Sequence, residues 1–236
     1  MPYFNVVAES NENTVVTSYE PVKARSDAYQ SEAALEAEFL RLLQEQGYEY
    51  PPIHSEQELI ANLRRQLEAL NHIEFTDDEW ARFFAESVAN PNDHVATKTR
   101  KIQEDNVQVL RRDDGTSKNI ALIDRKNIHN NFLQVINQYT VSQEEGAKHD
   151  NRYDVTILVN GFPLVHVELK RRGVPIREAF HQINRYHLES FRAGSGLFEY
   201  VQIFVISNGT NTKYYSNSTR MGAERENAAL ERSGTG

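Results

Sequence analysis

Asp154, Glu168 and Lys170 are the residues of this 236-residue chain whose types and spacing suit one piece of chemistry. Two carboxylates side by side supply hard oxygen ligands for Mg²⁺, and an ammonium beside them offsets negative charge building on a reacting group. Glu168-x-Lys170 closes a valine-rich apolar run, Leu164 to Leu169. Charges at the end of such a run are costly to place unless something there uses them. Alternation along a strand sends Glu168 and Lys170 to one face and Val167 and Leu169 to the other.

Several elements must position these groups. Asn160-Gly161 separates the run from a preceding one, Val155 to Val159, and this dipeptide tolerates the positive φ angles of a tight hairpin turn. Folding back on that turn brings Asp154 beside Glu168. Pro175 then announces a helix over Ile176 to about Phe191. Ala179, Phe180, Ile183 and Phe191 form its apolar face. Gln182 and Tyr186 stand one turn apart on one flank, with Arg177, His181, Arg185 and Arg192 on or near the other. A helix of this length suits the crossover to a parallel strand, Tyr200 to Ser207.

Upstream, Ser31 caps a helix that runs to Gly47, with Leu35, Phe39, Leu42 and Leu43 as its stripe and Glu32 and Glu36 on a shared flank. Taken alone, those glutamates are solvated helix charge. Residues 48–100 form an α-helical insert, anchored by Leu59, Leu63, Leu67, Trp80, Phe83 and Phe84 and closed by the turn cluster Asn90 to Asp93. Strands follow at 107–110, 120–123 and 132–141, with Asp113 to Thr116 as a hairpin turn and a short return strand at 213–216. Residues 221–236 carry little apolar content and are expected to be a disordered or non-native tail.

Composition excludes several classes. No apolar run approaches ~18 residues, the N-terminus lacks a signal-peptide pattern, and the chain has no cysteine, so a cytoplasmic protein without a membrane span is expected. The net charge is −8, but between Asn151 and Arg220 nine lysines and arginines stand against five acids. That half can face a polyanion. His166-x-Glu168 lacks the Pro-Cys-x-x-Cys of a zinc deaminase. His129-Asn130-Asn131 has no partner histidine at a clear spacing, and no Gly-x-Ser-x-Gly elbow is present.

With Arg152 and Asp154 before the turn, Asn160, Gly161 and Pro163 in it, Glu168-x-Lys170 after it and Gln182-x-x-x-Tyr186 beyond, the chain resembles the PD-(D/E)xK nuclease domain. The similarity is closest to the N-terminal region of the R subunit of type I restriction enzymes, and it covers about residues 20–220. The resemblance implies an α/β restriction-endonuclease-like core over 1–220, a mixed central sheet flanked by helices with 48–100 inserted. It implies a Mg²⁺-dependent endonuclease for double-stranded DNA, without sequence preference of its own. Asp154, Glu168 and the Leu169 carbonyl would bind the metal, and Lys170 would orient the attacking water. Glu36, ahead of Glu32, would complete the site, and Gln182, Tyr186, Arg152 and Arg185 would face DNA. Methyltransferase and specificity subunits are implied as partners. The resemblance implies ATP use only through a helicase motor, and the chain carries no Gly-x-x-x-x-Gly-Lys-Ser/Thr loop. The alternative is a non-enzymatic docking module on the same fold, binding DNA or the methyltransferase partner.

Overall fold

The apolar runs between Leu133 and Leu169 form three antiparallel strands in the computed structural model, which describes residues 3–9, 15–20, 31–141, 151–175, 191 and 193–217. They are β5 (Leu133–Val141), β6 (Asn151–Val159) and β7 (Phe162–Leu169). β8 (Ile203–Ser207) lies parallel to β7, and β9 (Thr212–Ser216) returns antiparallel to β8. The sheet order is β5-β6-β7-β8-β9, so it is mixed, as expected. The parallel β7–β8 pair requires a crossover. The helix expected there, Ile176 to Phe191, lies outside the described residues except for Phe191.

Before the sheet come β1 (Tyr3–Glu9) and β2 (Val15–Glu20), an antiparallel pair, then α1 (Glu32–Glu45), α2 (Glu56–Asn71), α3 (Asp77–Phe83) and α4 (Val95–Gln103). A hairpin of β3 (Val107–Arg111) and β4 (Ser117–Ala121) follows. Side chains start the helices: Ser31 Oγ accepts from the Ala34 N–H, and Ser55/Glu58 and Thr76/Glu79 are reciprocal capping boxes. Such caps satisfy amide hydrogens that the helix itself leaves unpaired, each worth about 1 kcal/mol.

Helices cover both faces of the sheet. On one, Leu40 and Leu43 of α1 pack on Val135, Val155, Val167 and Leu169. On the other, Leu59, Leu63 and Leu67, the fully buried stripe of α2, share one core with Phe83, Ile136, Phe162 and Phe204. Burying each such side chain contributes about 1.5–3 kcal/mol. The Asn160-Gly161 turn sits inside this core. Asn160 (φ +50) and Gly161 (φ +83) both adopt the left-handed conformation. The Asn160 carboxamide is fully buried: it accepts from the Phe132 N–H at 2.8 Å and donates to the Leu122 carbonyl at 3.0 Å. A Cβ on Gly161 would lie 2.6 Å from Leu63 Cα.

Several elements differ from the sequence reading: the strand expected at 120–123 lies at Ser117–Ala121, and the helix begun at Asp77 turns into a π-helix from Phe84 to Val88. α4 was not expected, because Val95, Thr97 and Thr99 weaken helix propensity and the segment carries little apolar residue beyond Ile102. Tertiary contact compensates: Lys98 is buried and donates to Glu199 Oε2 and to the Gly196 carbonyl, each at 2.8 Å. Tyr200, expected to open a strand, instead ends a 3₁₀ turn, Leu197–Tyr200. Its ring packs on Phe162 and its hydroxyl donates to the Val88 carbonyl at 2.8 Å, so the strand begins at Ile203.

Candidate active site

Register places Asp154 directly across from Glu168. Val155 pairs with Val167 in the β6–β7 hairpin, and the two carboxylates occupy the next step towards its open end. The Leu169 N–H donates to Asp154 Oδ2 at 2.8 Å. Lys170 Nζ donates to Glu168 Oε1 at 3.1 Å, with the lysine side chain largely buried. Glu168 is fully buried, and its Oε2 has no hydrogen-bond partner among the described residues. His166 Nε2 lies 3.6 Å from that oxygen. His166 is itself buried among Tyr153, Phe191 and Phe204.

Electrostatics push Asp154 strongly off its usual range. Burial and the facing Glu168 carboxylate raise its pKa to about 7, with a smaller contribution from Glu36. The Leu169 N–H and Lys170 pull in the opposite direction without cancelling this. Two carboxylates packed together in a half-dry site resist ionising together unless a cation joins them.

α1 delivers two more carboxylates. Glu36 accepts from the side-chain amides of Asn137 and Gln138 on β5, the second at 2.6 Å. Glu32 accepts instead from the Arg171 N–H at 3.2 Å, beyond the end of β7. Gln138 stands opposite Asp154 in the β5–β6 register and has φ +52, a conformation costing a non-glycine residue roughly 1–2 kcal/mol. Strand alternation breaks there on both strands. Val155 packs with α1, but Tyr153 packs on Phe191 and Phe198 on the other face. Val135 and Tyr139 divide in the same way. Asp154 therefore sits at a local rotation of the sheet, held by the Glu36–Gln138 contact.

The sequence-derived residues divide accordingly. Asp154, Glu168, Leu169, Lys170 and Glu36 come together around the end of the central hairpin. Arg152 is exposed on β6, two residues before Asp154. Gln182, Arg185 and Tyr186 lie outside the described residues. Asn137, Gln138 and His166 are neighbours that sequence reasoning did not assign to the site. Only the polar pair within the apolar strand Leu133–Val141 could have hinted at the first two.

The donor set fits Mg²⁺. It comprises two carboxylates and a backbone carbonyl, all hard oxygens, with an unpartnered buried carboxylate oxygen on Glu168. No group of three or more histidine, cysteine or acidic side chains that could hold a metal occurs among the described residues. A metal ion here would therefore keep several waters, as Mg²⁺ commonly does.

A family profile described as "Type I restriction enzyme R protein N terminus" matches residues 29–222 of the chain. A type I restriction enzyme endonuclease subunit of Escherichia coli (EcoprrI) is 50% identical over 215 residues, covering 91% of this chain and 67% of that protein. Type I restriction enzyme endonuclease subunits of Staphylococcus saprophyticus and Staphylococcus aureus MSSA476 are each 40% identical, over 80% and 81% of this chain. The chain spans about two thirds of the Escherichia coli relative and 20% of each staphylococcal one.

Proposed function

Because this chain belongs to the family of type I restriction enzyme R protein N termini, we propose that it is a Mg²⁺-dependent endonuclease module that hydrolyses phosphodiester bonds of double-stranded DNA. The observation that carries this reading is Asp154 directly across from Glu168, with Lys170 bonded to Glu168. Asp154, Glu168 and the Leu169 carbonyl would hold the metal, with Glu36 behind Asp154. A bound Mg²⁺ supplies charge neutralisation at the phosphate and a lowered pKa for water.

The chain's own groups do the rest. Lys170, held near Glu168 Oε1, offers an ammonium that orients a water towards phosphorus and offsets charge on the equatorial oxygens. The water oxygen bonds to phosphorus as one bridging P–O bond breaks. A metal held by carboxylates, with an ammonium beside it, would meet phosphate oxygens rather than base edges, which supports cleavage without intrinsic sequence preference. Sequence recognition would come from specificity and methyltransferase subunits, and ATP would act through a motor region. The setting is cytoplasmic in this reading, and no helix among the described residues is long and apolar enough to cross a membrane.

A plasmid nicking assay tests the proposal, with Mg²⁺ and with partner subunits added. The unaltered chain is expected to convert closed circles to nicked and linear forms. Glu168→Ala is expected to slow this by at least about a hundredfold, because several kcal/mol of charge stabilisation are lost. No cleavage by the unaltered chain with partners present, or unchanged cleavage by Glu168→Ala, would overturn it.

A further inference from the structure

We propose that the crevice at the carboxyl ends of β7 and β8 grips the phosphodiester backbone of duplex DNA flanking the cleaved bond, with Arg172 and Lys213 as its cations. The inference rests on the nuclease reading and adds the path that the DNA strand takes.

Glu168 pairs with Ile206 across the parallel β7–β8 ladder, and Ile206 pairs with Lys213 across β8–β9. Glu168, Ile206 and Lys213 therefore form one row across three strands, on one face. At about 4.8 Å per strand, Lys213 lies about 10 Å from Glu168. That step is of the same order as the separation between neighbouring phosphates along one DNA strand. A phosphate at Glu168 thus leaves a flanking phosphate within the reach of a lysine side chain at position 213.

An open cavity of about 620 Å³ lies between the chain after β7 and the turn before β9, lined by Arg172, Gly173, Val174, Asn208, Thr210 and Lys213 among others. Its described lining residues include two cations and no carboxylate. Asn208 ties the two loops together: its amide donates to the Val174 carbonyl at 2.8 Å, and its oxygen accepts from the Thr210 and Asn211 N–H groups. Asn208 is buried, so this wall is set before any ligand arrives. Space is open at Gly173, where a Cβ would meet nothing within 4 Å. The Lys170 N–H donates to the Ser207 carbonyl at 2.8 Å, which joins the crevice directly to the catalytic lysine. Outside the carboxyl ends of parallel strands is where open α/β sheets place their ligands. Without a phosphate loop or an aromatic platform among its described lining residues, the crevice suits a phosphodiester chain rather than a nucleotide.

Binding of a fluorescein-labelled 30-base-pair duplex, followed by anisotropy across a salt series in EDTA, tests this. Lys213→Gln and Arg172→Gln are each expected to weaken binding about tenfold, alike for unrelated sequences. Each is expected to reduce the slope of log K against log salt by about 0.9. Lys213 is exposed, so Lys213→Gln alone decides the matter if Arg172→Gln fails to fold. Wild-type affinity and slope in Lys213→Gln, or no duplex binding by the unaltered chain at low salt, would overturn the crevice. Reduced binding by both variants beside a chain that never cuts would keep the crevice and sink the nuclease reading.

Discussion

Asp154 holds its proton to about pH 7 because burial and the facing Glu168 carboxylate disfavour its charge. The same carboxyl in the unfolded chain titrates near 3.8. Between those values the folded state binds a proton that the unfolded state has released. Without metal, this contribution is therefore present below about pH 4 and lost as pH rises to about 7. The effect is of the order of a few kcal/mol at most. Thermal unfolding in EDTA should show the stability of the chain falling from pH 4 to 7 relative to that of Asp154→Asn. Parallel profiles would count against the assignment. Mg²⁺ bound as proposed would displace the same proton, so its apparent affinity should rise with pH up to about 7 and level off above. At this scale Asp154, Glu168 and Lys170 were legible in the sequence, because a period of two and an Asn-Gly turn are local signals. Gln138 was not legible: its left-handed backbone is imposed by Glu36 and the facing strand, which lie far away in the sequence.

The central hairpin works as an element because its turn is buried rather than solvated. Gly161 and Gly115 share φ +83, but only Gly161 faces a neighbouring backbone, that of Leu63. Gly161→Ala should therefore cost well above the roughly 1 kcal/mol of backbone strain expected for Gly115→Ala. Urea unfolding of the two variants checks this, and equal losses would show that the turn does not press on α2. The turn was legible from its dipeptide, but its burial was not, since Asn-Gly usually marks a solvated loop. α4 shows the converse. Its sequence, Val-Ala-Thr-Lys-Thr-Arg-Lys-Ile-Gln, has surface character, and its anchoring contact is a buried ion pair with Glu199 about a hundred residues away.

On the scale of the molecule, the helices of residues 56–103 and the five-stranded sheet share one continuous core. Trp80 of α3 sits in it, its ring 5.3 Å from Phe75. A shared core of this kind unfolds as a unit. Trp80 fluorescence and far-ultraviolet circular dichroism should report the same midpoint in urea, and separated midpoints would make the helical segment an independent unit. The expectation of a helical insert came from its leucine spacing. That spacing could show that the helices have an apolar face, but not that the face closes over the sheet.

The contacts of α1 have a consequence for the making of the protein. Glu36 meets Asn137 across 101 residues, and Glu32 meets Arg171 across 139. A ribosome adding about 5–20 residues per second leaves α1 waiting about 5–20 s for its first partner. Through that interval its leucine stripe is unsatisfied and exposed to chaperones, and the carboxylates of β6 and β7 do not yet exist. In the nuclease reading, a nascent chain therefore has no complete site for breaking a phosphodiester bond until nearly the whole of this domain has emerged.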